Sequence, residues 1–172
     1  MPIFMHTAKL ERFELEDISV EDIHITDIAN ALSKICRYAG HCSYFYSVAE
    51  HCCHLVDLVD DEYKKWALLH DAVEVYTGDI IRPVRAYLQK YTDALQDLEF
   101  VVLNAIAHRF DLSWPVPTIV LEKDTAIIPC EISQLFSHPA NKTETTPNVQ
   151  LQYWSPLEAQ TRFLYHFNLL FG

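Results

Sequence analysis

Apolar positions recur every three or four residues along most of the chain, the spacing that lays one stripe along a helix, and only three glycines interrupt 172 residues. The pattern predicts an all-α domain of about six or more helices after an irregular start that contains Phe4, Leu10 and Phe13. A first helix is expected over Asp27 to Tyr38, with Ile28, Ala31, Leu32 and Ile35 on one face and Gly40 as its stop. Ser47-Val-Ala-Glu50 matches the capping box, in which the serine takes an early backbone N–H and the glutamate reaches back to the cap. A second helix therefore starts there, with Val48, Cys52, Leu55, Val56 and Val59 toward the core.

Asp60-Asp61-Glu62 suits the positive end of a third helix, running to about Tyr76 and stopped by Gly78. Pro83 fits the first turn of a fourth, whose stripe of Val84, Tyr87, Leu88, Tyr91, Leu95, Leu98, Val102 and Ala105 reads as core and in part as subunit interface. Trp114-Pro-Val-Pro117 breaks it, a fifth helix follows from Thr118 to Phe136, and residues 137–156 read as a surface loop. Ser155-Pro156-Leu157-Glu158 opens the last helix with a second capping box. No internal repeat or linker divides the chain, so residues 1–172 are expected to form one domain.

Charge narrows the function classes. Thirteen Lys and Arg against 24 Asp and Glu leave a formal charge of −11. That balance repels a nucleic acid polymer and an anionic membrane face, but leaves room for a nucleotide monomer held by a metal and a few cations. No apolar run approaches the roughly 18 residues of a membrane span. The five cysteines form no CxxC pair, and with no secretory leader they read as reduced thiols of a cytoplasmic protein.

Inside the third helix, Leu68-Leu-His-Asp-Ala-Val-Glu74 sets three ionisable groups among core residues. His70, Asp71 and Glu74 fall on about one third of the helix circumference and can converge on one point. Burying them unpaired would cost several kcal/mol, a cost that a divalent cation removes. His51, 19 residues earlier, is the next candidate ligand, and an antiparallel helix pair would bring it to His70. Asp124 is the fourth, a carboxylate on the inner stripe of the fifth helix, where one is rare without a partner. Two imidazoles and two carboxylates suit Co, Mn, Fe, Ni or Zn. The adjoining Cys52, Cys53 and His54 do not complete a local site, because consecutive helix positions fan around the axis. Cys52 belongs to the core stripe, away from the exposed electropositive setting that a reactive thiol needs.

His51, the His70-Asp71 doublet and Asp124 resemble, in order, the H…HD…D pattern of the HD-domain metal-dependent phosphohydrolases. The resemblance extends to Asp27-Ile-Ala-Asn-Ala-Leu-Ser, Ile35-Cys-Arg37, Gly40-His41, Phe45-Tyr-Ser-Val-Ala-Glu-His51, Leu68-Leu-His-Asp-Ala72, Glu74, Gly78-Asp79-Ile80 and Pro83, over roughly the first three quarters of the chain. It is similar to the small bacterial and phage branch related to 5′-deoxynucleotidases, which implies a compact HD-domain helical bundle. The resemblance makes His51, His70, Asp71 and Asp124 the ligands of a divalent ion (Co, Mn, Zn, Fe, Ni or Mg) and Glu74 the acid/base residue. It also implies that Asp79 orients water or ribose, and that Arg37 and Tyr38 grip phosphate or sugar and pack on the nucleoside. Arg82 and Arg85 are candidate phosphate contacts. Relatives carry a lysine one turn before the last aspartate, where this chain has Leu121. Lys123 is the nearest substitute, about 100° around the helix from Asp124. His41 reads as a cap of the preceding helix.

The expected activity is hydrolysis of deoxynucleoside 5′-monophosphates to deoxynucleoside and phosphate. A dNTP triphosphohydrolase, for example on dATP, is the same-site alternative, and a non-catalytic nucleotide-sensing or replication-regulating protein is the alternative of another class. The expected partners are a small-molecule deoxynucleotide and further copies of the chain in a homo-oligomer, with neither nucleic acid polymer nor membrane, in the cytoplasm of a bacterium or of a phage-infected host.

Overall fold

The computed structural model describes residues 3–9, 11–136, 143 and 145–172. The first element is one that helical periodicity does not announce: a hairpin of β1 (Phe4–His6) against β2 (Arg12–Glu14), antiparallel, with Met5 opposite Phe13. Three-residue strands are too short to carry a period-two signal. Phe13 is 1% exposed and stacks on Tyr76, ring centroids 4.0 Å apart, which fixes the hairpin to the helical body. Leu10 lies outside the described residues.

The first helix, α1 (Ile25–Leu32), is shorter than its periodicity predicts, although Ile28, Ala29 and Leu32 are buried. Tertiary pairing ends it. Cys36 turns extended and bridges Ser47, the Arg37 N–H donates to the Tyr46 carbonyl at 2.9 Å, and the Val48 N–H donates to the Ile35 carbonyl at 3.0 Å. Arg37–Gly40 then make a left-handed turn, with φ of 58° at Tyr38, 51° at Ala39 and 74° at Gly40. Glycine adopts that conformation freely; a residue with a Cβ gives up about 1–2 kcal/mol there.

Helix α2 (Val48–Val56) starts where its cap predicts, with Ser47 Oγ accepting the Glu50 N–H at 3.1 Å. Val48, Cys52, Leu55 and Val56 are buried as expected, whereas Val59 lies past the helix end and is only half-buried. Glu50 does not reach back to the cap. Its carboxylate, wholly buried, accepts the N–H groups of Gln152, Tyr153 and Trp154 at 2.7, 3.0 and 2.8 Å. Three donors from the segment before the last helix satisfy both oxygens, where the cap offers one.

The predicted third helix is broken at its functional centre. A short turn at Asp61–Tyr63 leads into α3 (Lys64–Leu69), and α4 (Glu74–Thr77) follows after four residues. Across the gap the bonds tighten to i→i+3: Ala72 N–H to Leu69 carbonyl at 3.0 Å and Glu74 N–H to Asp71 carbonyl at 2.9 Å. Gly78, at φ 76°, stops α4 as predicted.

The predicted fourth helix is likewise two, α5 (Arg82–Leu88) and α6 (Ala94–Arg109), separated by a turn in which Thr92 Oγ1 accepts the Ala94 N–H at 3.1 Å. Its stripe divides accordingly: Val102 and Ala105 are core, whereas Val84, Tyr87 and Tyr91 are exposed. Helices α7 (Thr118–Leu135) and α8 (Pro156–Phe171) match their predicted bounds closely, and Ser155 Oγ caps α8 by accepting the Glu158 N–H at 3.3 Å.

Helix α8 lies across α1, α2 and α3 with Ala159 and Phe163 fully buried, and α7 packs on α2 through the same core, which Val120 and Ile127 enter. A smaller cluster of Tyr46, Leu135 and Leu151 has Tyr38 and Cys42 against it. All five cysteines are free, as expected, with Cys36 and Cys42 sulfurs 3.7 Å apart. Among the described residues no helix is long and apolar enough to cross a membrane.

Removing the Glu50 carboxylate strands three backbone donors at about 1–3 kcal/mol each. Glu50→Ala is expected to lower unfolding stability by about 3 kcal/mol or more in urea denaturation; a loss under about 1 kcal/mol would mean that water replaces the carboxylate.

Candidate metal centre and substrate cavity

Three separate pieces of backbone bring the predicted ligands to one point. His51 comes from the middle of α2, His70 and Asp71 from the tightened turn after α3, and Asp124 from α7. His51 Nε2 lies 3.2 Å from Asp124 Oδ1 and 3.6 Å from Asp71 Oδ2, and His70 Nε2 lies 3.2 Å from Asp71 Oδ2. Ligand atoms bound at about 2.0–2.2 Å to one ion sit about 3–3.5 Å from each other, so these spacings fit a shared divalent cation.

The far nitrogens are already committed. The His70 Nδ1–H donates to the Ala67 carbonyl at 2.9 Å, and since a carbonyl only accepts, Nε2 is the nitrogen left to take a second proton or a cation. His51 Nδ1 is 2.7 Å from Glu131 Oε1. Among the described residues, five buried polar atoms lack a hydrogen-bond partner, and four belong here: His51 Nε2, His70 Nε2, Glu74 Oε2 and Arg37 Nε. The fifth, Asp27 Oδ2, is on α1. Orphaned buried atoms normally cost about 1–3 kcal/mol each, and four in one place mark a site built for something that completes it. Two neutral-capable imidazoles and two carboxylates form a donor set that suits a borderline divalent ion.

A cavity of about 490 Å³ opens beside the ligands. Asp71, Glu74, Asp79 and Asp124 face it together with Arg37, Arg82 and Arg85, and Tyr38, Ile80, Ile81, Ile128 and Phe136 form an apolar wall. His41 also lines it, so its sequence assignment as a cap is incomplete. Arg37 reaches the centre, with Nη1 3.5 Å from Asp71 Oδ2 and Nη2 3.2 Å from Glu131 Oε2. Arg82 Nη2 lies 3.2 Å from Thr125 Oγ1 and 3.4 Å from Asp124 Oδ2. Arg85 is spent on a two-pronged pair with Glu99, one contact being 2.7 Å, which weakens its assignment as a phosphate contact. Lys123 is not among the residues that line the cavity, in keeping with its angular offset from Asp124.

Sequence reasoning missed Glu131. It is wholly buried on α7, seven residues after Asp124, and accepts from Tyr38 OH at 2.5 Å and Tyr46 OH at 2.9 Å in addition to Arg37 and His51. The signal was available: Glu131 shares the Val120, Asp124, Ile127 and Leu135 face, where a carboxylate is as anomalous as at Asp124. Cys52 has a second relation as well as its core packing, because its sulfur, a His70 ring nitrogen and an Asp71 oxygen lie within 4.8 Å of one another. Burial holds that thiol up at about 12, which keeps it protonated. Cys53 is core, and His54 stacks on Trp154 with its Nε2 3.4 Å from Glu50.

The electrostatics call for positive charge. Burial and then Arg37 depress the His51 imidazolium, but Glu131 and Asp124 outweigh them and raise its pKa to about 9. Burial opposes His70 similarly, and Asp71 raises it to about 10. Glu74 is pushed well above the carboxylate range by burial and by Asp71 and Asp79, whereas Asp124 is held low against burial by His51.

Comparison with known proteins gives relatives without a stated activity. No protein-family model matches the chain. It is 41% identical over 99 residues to the uncharacterised protein YfdR of Escherichia coli, covering 58% of this chain and 56% of that protein. It is 37% identical over 116 residues to an uncharacterised protein of Rhodobacter capsulatus, covering 62% and 57%. The chain thus spans a little over half the length of the curated relatives it matches.

The raised imidazoles set the sign of a pH dependence. Their ordinary value is 6.5, so without metal they stabilise the fold fully below about pH 6.5, and that contribution is lost as pH rises through 9 and 10. Asp71, Asp124 and Glu131, held low, contribute above their ordinary values near 4 and lose that contribution on acidification. Metal-free protein should therefore melt highest between about pH 5 and 6.5, and added Mn²⁺ or Co²⁺ should raise the melting temperature more at pH 8.5 than at pH 6. A metal increment independent of pH would exclude the imidazoles as ligands.

Proposed function

We propose that this chain is a metal-dependent phosphohydrolase of the HD type, hydrolysing deoxynucleoside 5′-monophosphates to deoxynucleoside and phosphate. The observation that carries this reading is the convergence of the unpartnered His51 and His70 Nε2 atoms with Asp71 and Asp124, beside a cavity with an acid, a guanidinium and an apolar wall. His51, His70, Asp71 and Asp124 would hold the ion, which would make water a stronger nucleophile at neutral pH and neutralise charge on phosphate oxygens.

The residues of the chain supply the rest. Arg37, with Nε unpartnered and Nη1 toward Asp71, offers a donor to a phosphate oxygen next to the ligands. Glu74, whose carboxyl is kept protonated by burial and two neighbouring acids, is suited to give its proton to the departing 5′-oxygen. Tyr38, Ile80, Ile81 and Phe136 offer surface to a sugar and base. Asp79 faces the same space and is suited to hold water or a sugar hydroxyl.

Charge favours one phosphate over three. Asp71, Asp79 and Asp124 face the cavity as carboxylates beside the Glu74 acid, against three guanidinium groups of which Glu99 already neutralises that of Arg85. A triphosphate carries about four negative charges and would meet those carboxylates with only one exposed arginine, Arg82, uncommitted to a buried partner. The order and flanks of the HD-like motif support the same chemistry. Free cysteines fit a cytoplasmic compartment, and the exposed Val84, Tyr87, Tyr91 and Phe100 support self-association.

Metal-loaded protein incubated with panels of dNMPs and dNTPs is expected to release inorganic phosphate from the monophosphates; triphosphate release from a dNTP with inert dNMPs would overturn the substrate assignment. Asp71→Ala is expected to abolish both metal retention and turnover. Glu74→Ala should keep the metal and lower kcat by about 10²–10⁴-fold. If binding persists without turnover under every divalent ion, the chain is a nucleotide-binding protein instead.

A further inference from the structure

We propose that Glu131 is a positioning residue that ties metal capture to the grip on the substrate, fixing the tautomer of His51 with one carboxylate oxygen and the heading of Arg37 and Tyr38 with the other. The proposal rests on the metal-centre reading above and goes beyond its ligand set. Glu131 is not among the residues that line the cavity, and it is wholly buried. Its effect therefore runs through others.

Both oxygens are fully used. Oε1 accepts from His51 Nδ1 at 2.7 Å and Tyr46 OH at 2.9 Å, while Oε2 accepts from Arg37 Nη2 at 3.2 Å and Tyr38 OH at 2.5 Å. A carboxylate only accepts, so the hydrogen on His51 sits on Nδ1 and the lone pair on Nε2, toward Asp71 and Asp124. The same group anchors Arg37, the guanidinium that reaches Asp71 in the cavity. One side chain thus determines which nitrogen of His51 can bind a cation and where the Arg37 donors point.

The isosteric amide separates these roles, because glutamine offers one accepting oxygen and one donating NH₂. Arginine cannot accept, so the amide oxygen must stay with Arg37 and the NH₂ must face Tyr46 and His51. The Tyr46 hydroxyl can turn and accept. His51 can accept at Nδ1 only by carrying its hydrogen on Nε2, the position that a metal needs bare. The opposite amide orientation sets NH₂ against Arg37 and releases the guanidinium. Each orientation damages one of the two functions that the carboxylate serves together.

The test uses Zn²⁺ as probe, titrated by calorimetry into the 172-residue chain as wild type, Glu131→Gln and His51→Ala, with nitrogen-15 histidine spectra of the Zn²⁺-loaded samples. Wild type is expected to show His51 with hydrogen on Nδ1, and E131Q to bind Zn²⁺ about 10–100-fold more weakly with that hydrogen displaced, or to keep the metal and raise KM for a dNMP through the loss of Arg37. Should E131Q fail to fold, Glu131→Asp keeps the charge but withdraws it by one methylene, and the same loss of Zn²⁺ affinity is expected. Wild-type affinity, tautomer and KM in folded E131Q, or wild-type affinity in E131D, would overturn the proposal while leaving the metal centre intact. A wild-type chain that takes up no Zn²⁺, or takes it up as well with His51→Ala, would overturn the metal-centre reading and this proposal with it.

Discussion

A carboxylate withdrawn from water must find donors for both oxygens, and the Glu131 carboxylate finds four where α2, α7 and the left-handed turn meet. Each donor comes from a part of the chain that the site needs: His51 from α2, Arg37 and Tyr38 from the turn, and Tyr46 from the segment leading into α2. Leaving one such partner unmade inside the protein costs more than making it gains, so the arrangement is specific as well as cohesive. Glu50, itself part of α2, takes three backbone N–H groups from residues 152–154 and so ties α2 to the segment that leads into α8. Two buried acids thus anchor a nine-residue helix at adjacent positions, one as the partner of His51 and the other as its neighbour in the chain.

Charge balance at the centre explains why its groups are unusual together and ordinary apart. Asp71, Asp124, Glu74 and Glu131 crowd a space shared with the buried Arg37 guanidinium and, at its exposed rim, with Arg82 against Asp124. The deficit is met by protons, on both imidazoles and on Glu74, and a divalent ion can take the place of those on the imidazoles. On the proposed metal-centre reading, proton and metal are alternatives at one location.

Much of this was legible in the sequence. The helical period, both serine caps, the Gly78 stop and the bounds of α7 and α8 followed from local rules, because they depend on residues within one turn of each other. His51, His70, Asp71 and Asp124 were visible because each is a polar residue on an apolar stripe. The end of α1 and the breaks inside the predicted third and fourth helices were not, since they go with a bridge from Cys36 to Ser47, i→i+3 backbone bonds at Ala72 and Glu74, and a turn in which Thr92 accepts the Ala94 N–H. Glu131 lies on the same apolar face as Asp124 and was as visible there; what no local spacing rule could supply is its partners, which are 80 to 94 positions away.

The two departures from regular structure that local rules could not foresee are the two that present the site. Around His70 the backbone tightens to i→i+3 bonds, which changes the angular step between residues and brings His70, Asp71 and Glu74 to adjoining edges of one space. At Tyr38 and Ala39 the chain accepts left-handed dihedrals that cost about 1–2 kcal/mol each. That strain persists because Glu131 holds Arg37 and Tyr38 from above while the Tyr46, Leu135 and Leu151 cluster packs beneath the ring. Strain, buried acid and apolar packing therefore form one mechanical unit. Loosening any of the three would let Arg37 swing away from Asp71 and take a buried permanent positive charge out of the centre.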